Sequence, residues 1–241
     1  MSKNIGVPTI KKVKDVDPDT RFADIHENLP SMPALVLLIG SVRTGKSNLL
    51  VNLFCNEGFY KGKFDTVKFI STTLHTDNKG QLLSKYFDCE DHYEDWMIEA
   101  IKQEQSMYPR EDRPSYALVL DDVLTQDFSK SNAVSYFATR FRHYLDMYII
   151  STQSFRSVSG LIRNNANAIL ILRQQNSKEI EKISEEYSSM VGGKDNFMRL
   201  YKEIHKENYQ IMYLDLTKNP ARVLRNFEEV LYEGDNELVL D

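Results

Sequence analysis

The chain has 241 residues, 41% of them hydrophobic and 27% charged, and a formal net charge of −5. That length suits one large domain, or one domain with a short appendage, and supports a substantial buried core; the charge argues against a protein that is basic over its whole surface. The two cysteines, Cys55 and Cys89, make no disulfide framework and point to a reducing compartment.

Residues 1–20 are polar and mixed in charge, unlike a signal peptide, and residues 1–30 lack periodicity and read as an N-terminal arm. The longest apolar run, Met32–Ile39, is too short to span a bilayer; within it, Ala34–Ile39 has the continuous pattern of a buried parallel strand and ends at a glycine. Lys46–Phe54 places Leu49, Leu50, Leu53 and Phe54 on one helical face. Thr66–Ser71 reads as a second strand and residues 80–106 as helix with polar interruptions. Ala117–Leu120 is a short strand ending in Asp121–Asp122. Ser131–Tyr144 has a helical period, with Ser129 or Ser131 as N-cap. Met147–Ile150 is a strand ending in Ser151–Thr152–Gln153, and Ala168–Leu172 is another. Helices are expected over Lys178–Met190 and Asn196–Lys206, around Gly192–Gly193, with a last strand at Tyr209–Leu214. Strands alternating with helices predict an α/β fold with a mainly parallel sheet covered on both faces. The organisation expected is an arm at 1–30, a core at 31–216 and a C-terminal tail at 217–241.

Gly40-Ser41-Val42-Arg43-Thr44-Gly45-Lys46-Ser47 fits the pattern G-x-x-x-x-G-K-[ST] in full, between the first strand and the first helix. Glycines let the backbone turn tightly. The loop N–H groups and the helix N-terminus then face an anion. Lys46 would reach the β- and γ-phosphates of ATP, and the Ser47 hydroxyl would ligate Mg²⁺. Arg43 is not demanded by the pattern; a phosphate contact and a solvated loop residue are both open. A magnesium-bound triphosphate also needs a carboxylate at a neighbouring strand tip. Asp121 answers that need, and Asp122 is expected as general base or water-orienting group. Gln153, with Thr152, arrives at another tip to sense the γ-phosphate or orient water. This set indicates a RecA-like (ASCE) P-loop NTPase, a three-layer sandwich of the translocase and motor branch.

The stretch Arg140-Phe-Arg-His-Tyr-Leu-Asp-Met-Tyr-Ile-Ile-Ser-Thr-Gln153, followed by Gly160-Leu-Ile-Arg-Asn-Asn165, resembles the FtsK–HerA class of DNA-pumping ATPases. The Asp-Asp pair and Arg142-His143 are most similar to the genome-packaging ATPases of large DNA viruses and virophages. The resemblance covers about residues 33–173. It implies an ATPase that moves double-stranded DNA through a homo-oligomeric ring, a pentamer or hexamer, with capsid portal or vertex proteins as further partners and no membrane span. The place implied is the host cytoplasm or a viral factory, with association to the virion. It also implies that a neighbour's arginine completes each site. Arg142 matches the family's arginine at the end of the helix after the acidic pair, and Arg163 is the second choice. Cellular members carry another arginine at the place occupied here by Ile169, so the finger's identity stays open.

Residues 128–173 hold Lys130, Arg140, Arg142, Arg156, Arg163 and Arg173 against the single acid Asp146, a local excess suited to sequence-independent phosphate contact. Arg156 is expected to touch DNA or a neighbouring subunit; salt bridges between subunits would explain the same arginines. Two rival functions are a P-loop kinase acting on a small molecule and a nucleotide-gated assembly protein with negligible turnover. The acidic stretch Asp88–Asp95 reads as a solvated loop rather than a zinc site. His75, His143 and His205 suggest no triad, and the numerous tyrosines and phenylalanines read as core rather than as base-stacking platforms.

Overall fold

The computed structural model describes residues 20–74, 78–123 and 132–234. The residues before 20, His75, Ser129, Lys130, Ser131 and residues 235–241 lie outside that description, and with them most of the expected arm and both expected caps of the 131–144 helix.

The described strands form one nine-stranded sheet in the order β3-β2-β4-β5-β1-β6-β7-β8-β9. They are β1 (Ala34–Ile39), β2 (Thr66–Ser71), β3 (Asp88–Glu90), β4 (Tyr116–Asp121), β5 (Met147–Thr152), β6 (Ala168–Ile171), β7 (Met212–Asp215), β8 (Arg222–Arg225) and β9 (Glu229–Glu233). Strands β1 to β6 pair in parallel, and β7 to β9 continue the sheet antiparallel from β6. The expected mainly parallel sheet is therefore present. Strand β5 is hydrogen-bonded to both β1 and β4, so it separates the strand that leads into the glycine loop from the strand that ends in Asp121.

Every residue of β1 is buried, and its alternation divides the core. Leu35, Leu37 and Ile39 join one apolar cluster, while Ala34, Val36 and Leu38 join the other. The second cluster contains Leu49, Leu50, Leu53 and Phe54 of α1 (Lys46–Cys55) and Leu83 of α2 (Asn78–Leu83). The first takes the apolar sides of α3 (Asp95–Ser106), α4 (Asn132–Ala138), α5 (Gly160–Asn165), α6 (Ser177–Tyr187) and α7 (Lys194–Ile204). Helices thus cover both faces, giving three layers.

Three stretches differ from expectation. Residues 80–106 are not one interrupted helix: α2 and α3 flank the short strand β3. The helix expected over 131–144 ends at Ala138, and a 3-10 turn at Phe141–His143 follows. Residues set apart as a tail include β8 and β9, which extend the same sheet. Buried Arg222 at the start of β8 pairs with Asp215 at 3.0 Å and donates to the Glu27 carbonyl at 2.9 Å, fastening the segment before β1 to this end of the sheet.

Candidate functional site

The parallel register brings Leu38, Ser151, Asp121 and Ser71 into one row across β1, β5, β4 and β2. The next residues along the chain, Gly40, Thr152–Gln153 and Asp122, therefore emerge together at the C-terminal edge of the sheet. They open onto a cleft of about 1530 Å³ lined by Ser41, Val42, Arg43, Gly45, Lys46, Ser47, Asp122 and Gln153, among others.

The glycine loop has local reasons for its shape. A Cβ at Gly40 would lie 2.7 Å from Thr44 Oγ1 and 2.9 Å from Leu172 Cβ, so only glycine fits. Gly45 caps α1 with a φ of 111°, and Arg43 also takes a left-handed φ of 63°. The Thr44 hydroxyl donates to the Ser41 carbonyl at 2.7 Å, and Ser41 N–H donates to the Arg173 carbonyl at 3.3 Å. The loop is thereby held to the strand ends around it, with the helix N-terminus behind it. Arg43 and Val42 are exposed at its crest.

Lys46 is buried, donates to the Gly40 carbonyl at 3.0 Å and stands 3.6 Å from Asp122 Oδ2. Gln153 Nε2 donates to the same Asp122 oxygen at 3.1 Å. Asp122 reaches this position because its φ is 51°, which breaks the strand alternation while its N–H still donates to the Ser151 carbonyl. Asp121 goes elsewhere. It is buried, accepts from the Ser71 hydroxyl at 3.1 Å, and shares a small cavity with Ser47, Ser71 and Thr73. Burial, chiefly, holds its carboxyl above the usual range; the Asp122 charge adds to this, and the Ser151 and Ser71 hydroxyls and Lys46 act against it. Its Oδ1 is buried without a hydrogen-bond partner among the described residues. A carboxylate with one orphaned oxygen, on a residue that lines the same cavity as Ser47, suits Mg²⁺, which takes few protein ligands and keeps water and phosphate oxygens around it.

The two arginines singled out as fingers are not in this cleft. Arg142 is exposed, makes no ion pair with a described residue, and lines a separate cavity of about 270 Å³ with Pro33, Pro114 and Asp146. Those three residues precede β1, β4 and β5, so Arg142 sits at the opposite edge of the sheet, roughly 20 Å away by the length of a six-residue strand. Arg163 is committed within its own chain: it lies 3.1 Å from Glu186 and over the Phe155 ring at 5.0 Å. The basic excess around them is largely spent internally. Arg156 pairs at 2.8 Å with buried Glu179, and Arg173 donates to carbonyls and the Asn208 side chain at the end of α7. Arg140 lies over Tyr136. Arg156, expected to touch DNA or a neighbouring subunit, is held by Glu179 through Nε while its side chain stays half exposed.

The architecture is found in solved structures. The DNA-packaging ATPase B204 of Sulfolobus Turreted Icosahedral Virus superposes with a TM-score of 0.59 at 15% identity, over 79% of this chain and 96% of that one. The fold is shared with a viral genome-packaging enzyme. The genome packaging NTPase B204 from Sulfolobus turreted icosahedral virus 2 aligns in its complex with ATP-gammaS at a TM-score of 0.56 and 13% identity, covering 80% and 97% of the two chains. Its complex with AMP gives 0.57 at 16% identity, over 79% and 96%. No protein-family model matches the chain, and no curated protein matches it. These similarities establish the three-layer P-loop fold, in line with the likeness to packaging ATPases carried by the Arg140–Asn165 stretch.

Proposed function

We propose that this protein is an ATP-hydrolysing motor that moves double-stranded DNA, packaging a viral genome. The observation that carries hydrolysis is the Lys46–Asp122–Gln153 chain at the lip of the glycine loop. Lys46 would neutralise the β- and γ-phosphates. With Gln153 Nε2 donating to Asp122 Oδ2, Asp122 Oδ1 and Gln153 Oε1 are left to accept the two protons of an attacking water. Asp122 would then receive a proton as the oxygen–phosphorus bond forms and ADP leaves. Ser47 and Asp121 would hold Mg²⁺, which supplies charge neutralisation on the phosphate oxygens when bound. Arg43 and Lys79 line the cleft beside Lys46, whereas neither finger candidate does: Arg163 is paired within its own chain and Arg142 lies at the other edge of the sheet. The arrangement suits a closed ring of like subunits, pentameric or hexameric, in which Arg142 of each subunit serves its neighbour's cleft. The fold shared with viral packaging enzymes is compatible with DNA as the partner; capsid-vertex proteins and the setting of a viral factory belong to the same proposal.

Steady-state ATPase activity with and without double-stranded DNA, together with a mass measurement of the oligomer, tests the reading. Expected are Mg²⁺-dependent turnover, stimulation by DNA, and loss of turnover by on the order of a hundredfold in Lys46→Ala. Phosphate transfer to a small acceptor by a monomer would indicate the kinase instead.

A further inference from the structure

At about 1530 Å³ the cleft has room for more than a triphosphate. On the side of β4 and β5 its wall is polar, with Asp122, Gln153 and Thr73. On the other side of the glycine loop, toward β7 and β8, it carries Tyr209, Ile211, Phe227 and Phe59, with Asn226 and Glu228 beside them. Because the hydrolytic groups fix the γ-phosphate on the first side, the rest of a nucleotide must run toward the second. There the prominent group is Tyr209. Its side chain is 72% exposed, which burial in the core does not explain. Its φ is 65°, a left-handed backbone that costs a residue with a Cβ roughly 1 kcal/mol. The ring stands against the phosphate loop itself: a Cβ on Gly45 would be 3.4 Å from Tyr209 Cδ1.

This position is built. Arg173 donates to the Asn208 side chain at 3.1 Å and to the Glu207 and His205 carbonyls, pinning the turn that carries Tyr209. The Arg173 carbonyl meanwhile accepts from Ser41 N–H in the loop. One arginine therefore locks the turn and the phosphate loop to each other. Phe227 packs edge-on against Phe59 at 5.5 Å and backs the same wall.

We propose that Tyr209 is the nucleobase platform: it stacks on the base of the nucleoside triphosphate whose phosphates the loop holds. The assignment rests on the nucleotide reading of the cleft. A base–aromatic stack is strong enough to matter and is tolerant of base identity, and a tyrosine held in a strained turn is pre-organised for it.

Calorimetric titration of the full chain with ATPγS and, separately, with inorganic tripolyphosphate, each with Mg²⁺, tests the proposal. Tyr209→Gly suits the backbone, since glycine adopts this φ freely, so its melting temperature should not fall. It is expected to weaken ATPγS about tenfold while leaving tripolyphosphate unchanged, and Tyr209→Phe, which keeps the ring face, is expected to retain wild-type affinity for both. Tyr209→Gly binding ATPγS as tightly as wild type overturns the platform alone, as does an equal loss for both ligands, which would make Tyr209 a prop for the loop. Wild-type protein binding neither ligand overturns the nucleotide reading and the platform with it.

Discussion

Asp121 and Asp122 are adjacent in sequence, yet a backbone φ of 51° sends only Asp122 into the cleft, while Asp121 stays buried beside Ser71. Strand alternation told the two apart as pointing different ways; the left-handed turn that aims the second at Lys46 is a tertiary choice with no sequence mark, since the following residue is Val123 rather than glycine. The environment of Asp121 has a thermodynamic consequence. Its folded pKa is raised above the ordinary 3.8, chiefly by burial. An unfolded chain releases that proton first, so between the two values the folded state holds more protons. Stability then falls as pH rises from about 3.8 through the raised value and stays lowered at neutral pH. Asp121→Asn, neutral throughout, is expected to melt at a higher temperature than wild type at pH 7, with the gap closing toward pH 4. The same substitution would remove the proposed magnesium ligand and should lower turnover by on the order of a hundredfold. Paired melting curves at the two pH values and an ATPase assay check both halves, and a lower melting temperature at pH 7 would contradict the assigned burial cost.

At the scale of elements, β1, α1, β2, β4, β5, β6 and β7 were legible because their apolar runs or helical faces are long and sharply bounded. Strand β3 was not: Asp88-Cys-Glu90 is acidic and has no apolar alternation, and its side chains are steadied by Lys68, 2.7 Å from Asp88. Strands β8 and β9 hide for a similar reason, with charged residues at their ends and a buried arginine whose partner lies in β7. The basic excess in 128–173 was legible as composition, but its use was not, because Glu179 and Glu186 lie on α6, beyond the stretch counted. Glu179 is the clearest case. Almost fully buried, it accepts from the Ser154 hydroxyl at 3.1 Å and from Arg156 Nε at 2.8 Å, clamping the turn after Gln153 onto α6. Arg156→Ala leaves that carboxylate without its cation, and the expected loss of stability is about 1–3 kcal/mol by chemical denaturation. The salt dependence of DNA binding should be unchanged, since an arginine that neutralises no phosphate leaves the slope of log affinity against log salt as it was. A slope reduced by about one unit would return Arg156 to the DNA surface.

At the scale of the whole molecule, the groups proposed to hold phosphate and water share one edge of the sheet, and Arg142, without an ion pair among the described residues, sits at the other. In the proposed ring, a subunit with this polarity would complete its chemistry when the lagging edge of one copy meets the leading edge of the next, a head-to-tail contact that can close. The arrangement makes a prediction that no single-subunit enzyme shares. Lys46→Ala lacks the phosphate grip but keeps its arginine; Arg142→Ala keeps the grip but lacks the arginine. Each alone should be nearly inactive, since an arginine finger contributes on the order of a thousandfold or more to turnover. Mixed and allowed to exchange subunits, they place an intact Arg142 from the first variant against an intact Lys46 cleft of the second wherever the two alternate in the right order. ATPase activity should therefore reappear on mixing, rise with the exchange time, and peak near equal proportions. A mixture no more active than the sum of its parts would mean that Arg142 serves no neighbouring cleft. The same experiment with Arg163→Ala in place of Arg142→Ala should show no such rescue, because Arg163 is held by Glu186 within its own chain and its loss is felt there as lost packing of α5 against α6.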